Sequence, residues 1–121
     1  MKKICFTLSL GIFLCSCRHE PVIPDQPQVS FANDVNPIIS GNCTQSGCHG
    51  GNDPEAFSLD SYDKLMKHDN VVAGKPHSSK IYESITKLSG EDLMPRSPYP
   101  RLSNQQIETI YLWILQGAKN N

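Results

Sequence analysis

Apolar side chains return at helical spacing four times between residues 30 and 118. Phe31, Val35, Ile38 and Ile39 fall at i, i+4, i+7 and i+8 and trace one face of a helix. Pro37 interrupts this run. A proline at that depth breaks an α-helix begun at Ser30, so the regular helix is expected to start with Asn36 as its cap and Pro37 in its first turn. Tyr62, Leu65 and Met66 mark a short second helix capped by Ser61 or Asp60, with Met66 as core filler. Ser78 or Ser79 opens a third, which carries Ile81, Ile85 and Leu88 and which Gly90 closes. The strongest pattern comes last. Behind Ser103, residues Ile107, Ile110, Tyr111, Ile114, Leu115 and Ala118 lie three and four apart, with Gly117 near the end.

The connections are written in turn residues. Glycines with Asn52, Asp53 and Pro54 make a loop of residues 50–57, and Ala73-Gly74-Lys75-Pro76 reads as a tight turn. Residues 94–100, Met-Pro-Arg-Ser-Pro-Tyr-Pro, hold prolines at 95, 98 and 100 and form a stiff loop that is neither helix nor central strand. Strand-like alternation of useful length is missing, so the expected fold is all-α with long loops. At 121 residues the chain has room for a single domain.

The N-terminus does not belong to that fold. Lys2 and Lys3 precede an apolar run over residues 4–14, the layout of a secretion signal, here assigned to residues 1–16. The run is shorter than the roughly 20 residues that cross a bilayer. It ends in Leu14-Cys15-Ser16-Cys17, which resembles the lipobox of bacterial lipoproteins. That resemblance implies cleavage before Cys17, a diacylglycerol on its sulfur, and acyl chains that hold the protein to a membrane surface. Residues 17–29, with prolines at 21, 24 and 27, form an extended tether, and the domain occupies residues 30–121.

Cleavage changes both the charge and the cysteine count. The 11 basic residues become nine against 12 acidic ones, a net charge of about −3, and nothing points to nucleic acid. Cys5 and Cys15 leave with the signal and Cys17 is capped by lipid, so Cys43 and Cys48 remain as the free pair. In an oxidising exported compartment such a pair is a disulfide, a metal site or a covalent attachment point.

The pair stands in Cys43-Thr44-Gln45-Ser46-Gly47-Cys48-His49. Two thiols beside a histidine suit covalent haem: each cysteine adds to a vinyl group, and His49 is placed to give a nitrogen to the iron. The usual attachment motif has two residues between its cysteines and this one has four, with Gly47 easing an outward bulge. Two other readings share these residues: a Cys43–Cys48 disulfide, or a zinc site completed by His68 or His77, both otherwise solvated surface histidines. Met94 adds the sixth-ligand candidate. Thioether sulfur commonly partners histidine on the iron of electron carriers, and Pro95 biases Met94 towards an extended conformation that presents its sulfur.

Taken together, residues 31–118 resemble the class I cytochrome c family and, within it, the single-haem domains of the planctomycete cytochrome c type found in exported bacterial lipoproteins. The resemblance runs through Val35-Asn36-Pro37-Ile38, the segment from Cys43 to Gly50, Leu59 and Tyr62, Val72-Ala73-Gly74-Lys75-Pro76, Met94-Pro95, Leu102-Ser103, and Trp113-Ile114 with Gly117-Ala118. It implies a small cytochrome c-like fold of about four helices and long loops around one covalent haem c, which supplies much of the core. The first and last helices pack together, with Trp113 in the packing and Pro37 and Pro95 as backbone constraints. Cys43 and Cys48 hold the haem, and His49 and Met94 ligate its iron. The implied function is electron transfer between redox partner proteins at a membrane surface outside the cytoplasm, the periplasmic side of either membrane or the cell surface, without catalysis. The alternatives are a haem-based small-ligand sensor or peroxidase-like enzyme, in which the Met94 position opens, and a non-haem exported binding module.

Overall fold

The computed structural model describes residues 26–51, 57–67 and 70–121, and within them the protein is built from helices, with no strand. The α-helices are α1 (Asn36–Asn42), α2 (Tyr62–Leu65), α3 (Lys80–Thr86) and α4 (Asn104–Leu115). The all-α expectation holds. None of these helices is long and apolar enough to cross a membrane.

The regular helix α1 begins at Asn36 with Pro37 in its first turn, as expected, but a π-helical turn precedes it without a break. Val35, not Asn36, holds the cap position of α1, and Ser30 caps the π-helix Phe31–Val35 that runs straight into it, its hydroxyl accepting from the Asn33 N–H. The wide turn reconciles the apolar stripe with Pro37. In an α-helix the proline ring presses on the carbonyl four residues back, and a turn bonded five residues back relieves that crowding. Thus the Val35 N–H donates to Ser30 O at 3.2 Å and the Asn36 N–H to Phe31 O. The remaining free donors at this end meet residue Asn121, whose backbone oxygen accepts from Ala32 N and whose Oδ1 accepts from Phe31 N, both at 2.9 Å.

The core forms where the first turn, α2 and α4 meet. Phe31 sits edge-on to Tyr62, with centroids 5.1 Å apart, and 5.5 Å from Trp113. Trp113 is buried, with its indole N–H donating to Lys119 O, and the Tyr62 hydroxyl donates to Ala118 O at 2.8 Å. Both polar tips are satisfied, so the rings contribute packing rather than chemistry. Val35, Ile39, Leu65, Ile85, Ile110 and Ile114 complete the interior, with Met66 packed against it.

Both ends of α4 follow their sequence signals. Ser103 and Gln106 form a reciprocal capping box. At the other end Gly117 has φ +98°, Ala118 N donates to Trp113 O and Gly117 N to Ile114 O, a Schellman closure. Gly74 N also reaches Ile114 O at 2.7 Å, which docks the turn before α3 onto α4.

The expectation for α3 needs correction. It ends at Thr86, short of Gly90, and Leu88 lies outside it and is 92% exposed. At Lys87 the backbone leaves the helical region, with ψ 146°, and the Arg101 guanidinium donates to the Ile85 and Lys87 carbonyls. A cation on the last carbonyls stabilises that stop. Ser79 holds the N-cap position of α3 as expected, but its buried hydroxyl is used elsewhere, donating to Lys75 O and accepting from Val72 N, both at 2.9 Å.

Candidate functional site

The cysteine motif begins where α1 stops. Cys43 is the C-cap, its N–H donating to Ile39 O at 2.8 Å. The next carbonyls of α1 have no helical partner. Thr44 Oγ1 donates to Ser40 O at 3.0 Å and Gln45 Nε2 to Gly41 O at 2.9 Å. The extra residues between the cysteines therefore finish the helix.

The chain then turns back. Cys48 N donates to Gln45 O and His49 N to Cys43 O, both at 2.9 Å, so the ends of the loop are pinned while Gln45, Ser46 and Gly47 face solvent. Gly47 has φ +79°, the left-handed conformation for which a glycine at the bulge was expected. Gly50 serves a different purpose. A Cβ there would run into the Thr44 carbonyl oxygen, with the carbonyl carbon 3.2 Å away, so the loop closes over a site where only hydrogen fits.

Cys43, Cys48 and His49 are thus brought together, each half-buried, with both thiols free. Burial pushes the Cys43 thiol up to about 11, with the charge of Cys48 a smaller cause in the same direction. His49 is held at two points. Its backbone oxygen accepts from Leu59 N at 2.7 Å, and its Nδ1 lies 2.9 Å from Phe57 O. A carbonyl can only accept, so Nδ1 carries the proton and Nε2 keeps its lone pair for a metal. The Phe57 ring lies 4.7 Å from the imidazole at 37°.

Met94 belongs to a separate loop moored on α3. Its N–H donates to Ser84 O at 3.1 Å, and its side chain is half-buried. The loop is braced by Arg101, by Arg96 Nη2 donating to Glu91 O, and by Lys87 Nζ 2.8 Å from Asp92 Oδ2. The hydrogen bond from Lys87 lowers Asp92, and the same bond raises Lys87.

The zinc alternative gains nothing from the arrangement. Among the described residues no three His, Cys, Asp or Glu side chains cluster to hold a metal. His77 is exposed in a 3₁₀ turn (Pro76–Ser78), edge-on to Tyr82 and Tyr111. His68, Cys17 and the signal segment lie outside the described residues. The donor set suits haem better: two free thiols, an imidazole with one nitrogen already committed, and a thioether on a braced loop.

Residues 46–98 match the family model of planctomycete cytochrome C. That match supports a planctomycete-type cytochrome c domain in this part of the chain. The match takes in Cys48, His49 and Met94; Cys43 lies three residues ahead of it. No curated protein and no solved structure matches the chain. A cytochrome c domain implies covalently bound haem c and, at that level of description, electron transfer.

Sequence reasoning did not single out Phe57, Thr44, Gln45 or Arg101. Phe57 left one clue, a large aromatic residue in an otherwise polar connection. The others act through hydrogen bonds to backbone carbonyls, which leave no periodic trace.

Proposed function

We propose that this protein is an exported, lipid-anchored carrier of single electrons. One haem c is attached through Cys43 and Cys48, with His49 and Met94 as the axial ligands. The observation that carries this reading is His49 beside two unpaired thiols, its Nδ1 proton committed to Phe57 O and its Nε2 free.

Bound haem would supply a one-electron ferrous/ferric couple. The residues of the chain do the rest. The Cys43–Cys48 loop fixes the attachment points relative to His49, and the bond from His49 to Phe57 holds the ring in one orientation. The Met94 loop, tied to α3 at Ser84, would hold its sulfur as the second protein ligand of the iron. With both positions filled, electrons pass to docked redox proteins without a bound substrate. Cys17 places the domain at a membrane surface outside the cytoplasm, on a tether that gives it reach.

The test is to produce the exported form with haem-attachment machinery, denature it in alkaline pyridine, and record the reduced spectrum beside the protein mass. A c-type spectrum with the mass of one haem is expected, lost in a Cys43→Ala, Cys48→Ala double variant. Met94→Ala should retain the haem and become open to added ligands. A properly matured chain without haem would sink the proposal.

A further inference from the structure

We infer that the Phe57 side chain is a positioning residue for the axial histidine, keeping water from His49 and thereby raising the reduction potential. This rests on the haem reading of the site.

Phe57 contributes to His49 twice. Its carbonyl accepts the Nδ1 proton, and its phenyl ring covers one side of the imidazole, with centroids 4.7 Å apart and a tilt of 37°. Among the described residues it is one of the few large apolar side chains left exposed, at 51%, and it lies outside the core cluster while Leu59, two residues on, is inside it. Leu59 is the anchor: buried, and bonded through its N–H to His49 O, it fixes the segment so that Phe57 falls on the imidazole. The ring thus partly covers His49 with its inner side and meets solvent with the other.

Such a cover acts on an axial ligand in two ways. A ring N–H shielded from water keeps its bond to the carbonyl and cannot trade it for solvent, which holds the imidazole in one orientation. Excluding water also lowers the local polarity around the iron. The ferric state carries one more positive charge than the ferrous state, and it is the one disfavoured when water is kept away. Shielding therefore favours the reduced form. The carbonyl is common to every residue, so substituting the side chain removes the cover and leaves the acceptor.

The experiment compares Phe57→Ala and Phe57→Tyr with the wild type, each first shown by pyridine spectrum and mass to carry one covalent haem. Phe57→Ala is expected to shift the ferric/ferrous equilibrium at least threefold towards ferric, about 28 mV by the 59 mV per tenfold of a one-electron couple. The His49 ring N–H, followed by NMR in the ferrous protein, should exchange with water faster by a similar factor or more. Phe57→Tyr, which keeps the ring, should restore both values. Global stability is read separately by urea unfolding, because a generally loosened fold would also admit water; a potential that falls only in step with lost stability overturns the inference. Unchanged potential and N–H exchange in a fully loaded Phe57→Ala overturn the inference. If the wild type carries no haem, the proposed function fails first, and this inference goes with it.

Discussion

Gly50 offers a sharp test because it and Gly41, in the helix before the loop, predict opposite signs. Its φ lies outside the left-handed region, so conformational freedom is not what the position requires. What it requires is space: a methyl group would overlap the Thr44 carbonyl oxygen, with the carbonyl carbon at 3.2 Å and Gln45 O at 3.6 Å. Those atoms are backbone of the loop that joins Cys43 to His49, and they cannot swing aside as a side chain would. Overpacking of this kind costs about 1–3 kcal/mol, while replacing glycine returns about 0.4–1 through the unfolded chain. The expected net loss for Gly50→Ala is about 1–2 kcal/mol. At about 4–8 °C per kcal/mol for a domain of this size, the melting temperature should fall by roughly 5–15 °C. Gly41 is the control. It lies in α1 with nothing within 4 Å of a Cβ, so Gly41→Ala should stabilise by about 0.5–1 kcal/mol. Thermal unfolding of the haem-loaded proteins by far-UV circular dichroism separates the two. If Gly50→Ala melts with the wild type, or rises alongside Gly41→Ala, the close approach to Thr44 does not constrain the loop.

Ser103→Ala removes half of the capping box on α4 and should cost about 1 kcal/mol in urea unfolding, with Ser103→Asp recovering most of it; equal losses in both would point away from the cap. Cys43 gives the haem-free, reduced chain a pH dependence. Its thiol holds its proton harder in the fold, to about 11 against an ordinary 9.0, so its contribution is complete below 9.0 and is lost as pH rises through about 11. The urea midpoint should therefore decline across that window in the wild type and flatten in Cys43→Ala, and an equal decline in both would assign the effect elsewhere.

The positions that repeat were legible in the sequence, and those that answer a single neighbour were not. The core faces of α1 and α4, the Ser61 and Ser103 caps, and the reversal at Gly117 follow from spacing and residue type, because each is decided within a few residues along the chain. Pro37 does bar an α-helix from Ser30, but a π-turn absorbs it, and helix propensity carries no information about the size of a hydrogen-bonded turn. Leu88 fitted the periodicity of Ile81 and Ile85 and still lies outside the helix, because Arg101, far along the chain, ends α3 first. At the site, residue types and spacing pointed to His49. The partner that fixes its tautomer is a backbone carbonyl eight residues away, across a connection whose path no pattern specifies.

The short helix α3 owes its existence to the segments around it. Seven residues are too few to persist alone in water. Its second residue, Ile81, finds an acceptor in Asn70 O, and its closing carbonyls are taken by Met94 N and the Arg101 guanidinium. Helix and methionine loop therefore form one cooperative unit. A fluctuation that frees Met94 strips α3 of a partner, and unwinding of α3 releases Met94. Displacing Met94 then costs more than swinging out a side chain, because it requires a local unfolding event.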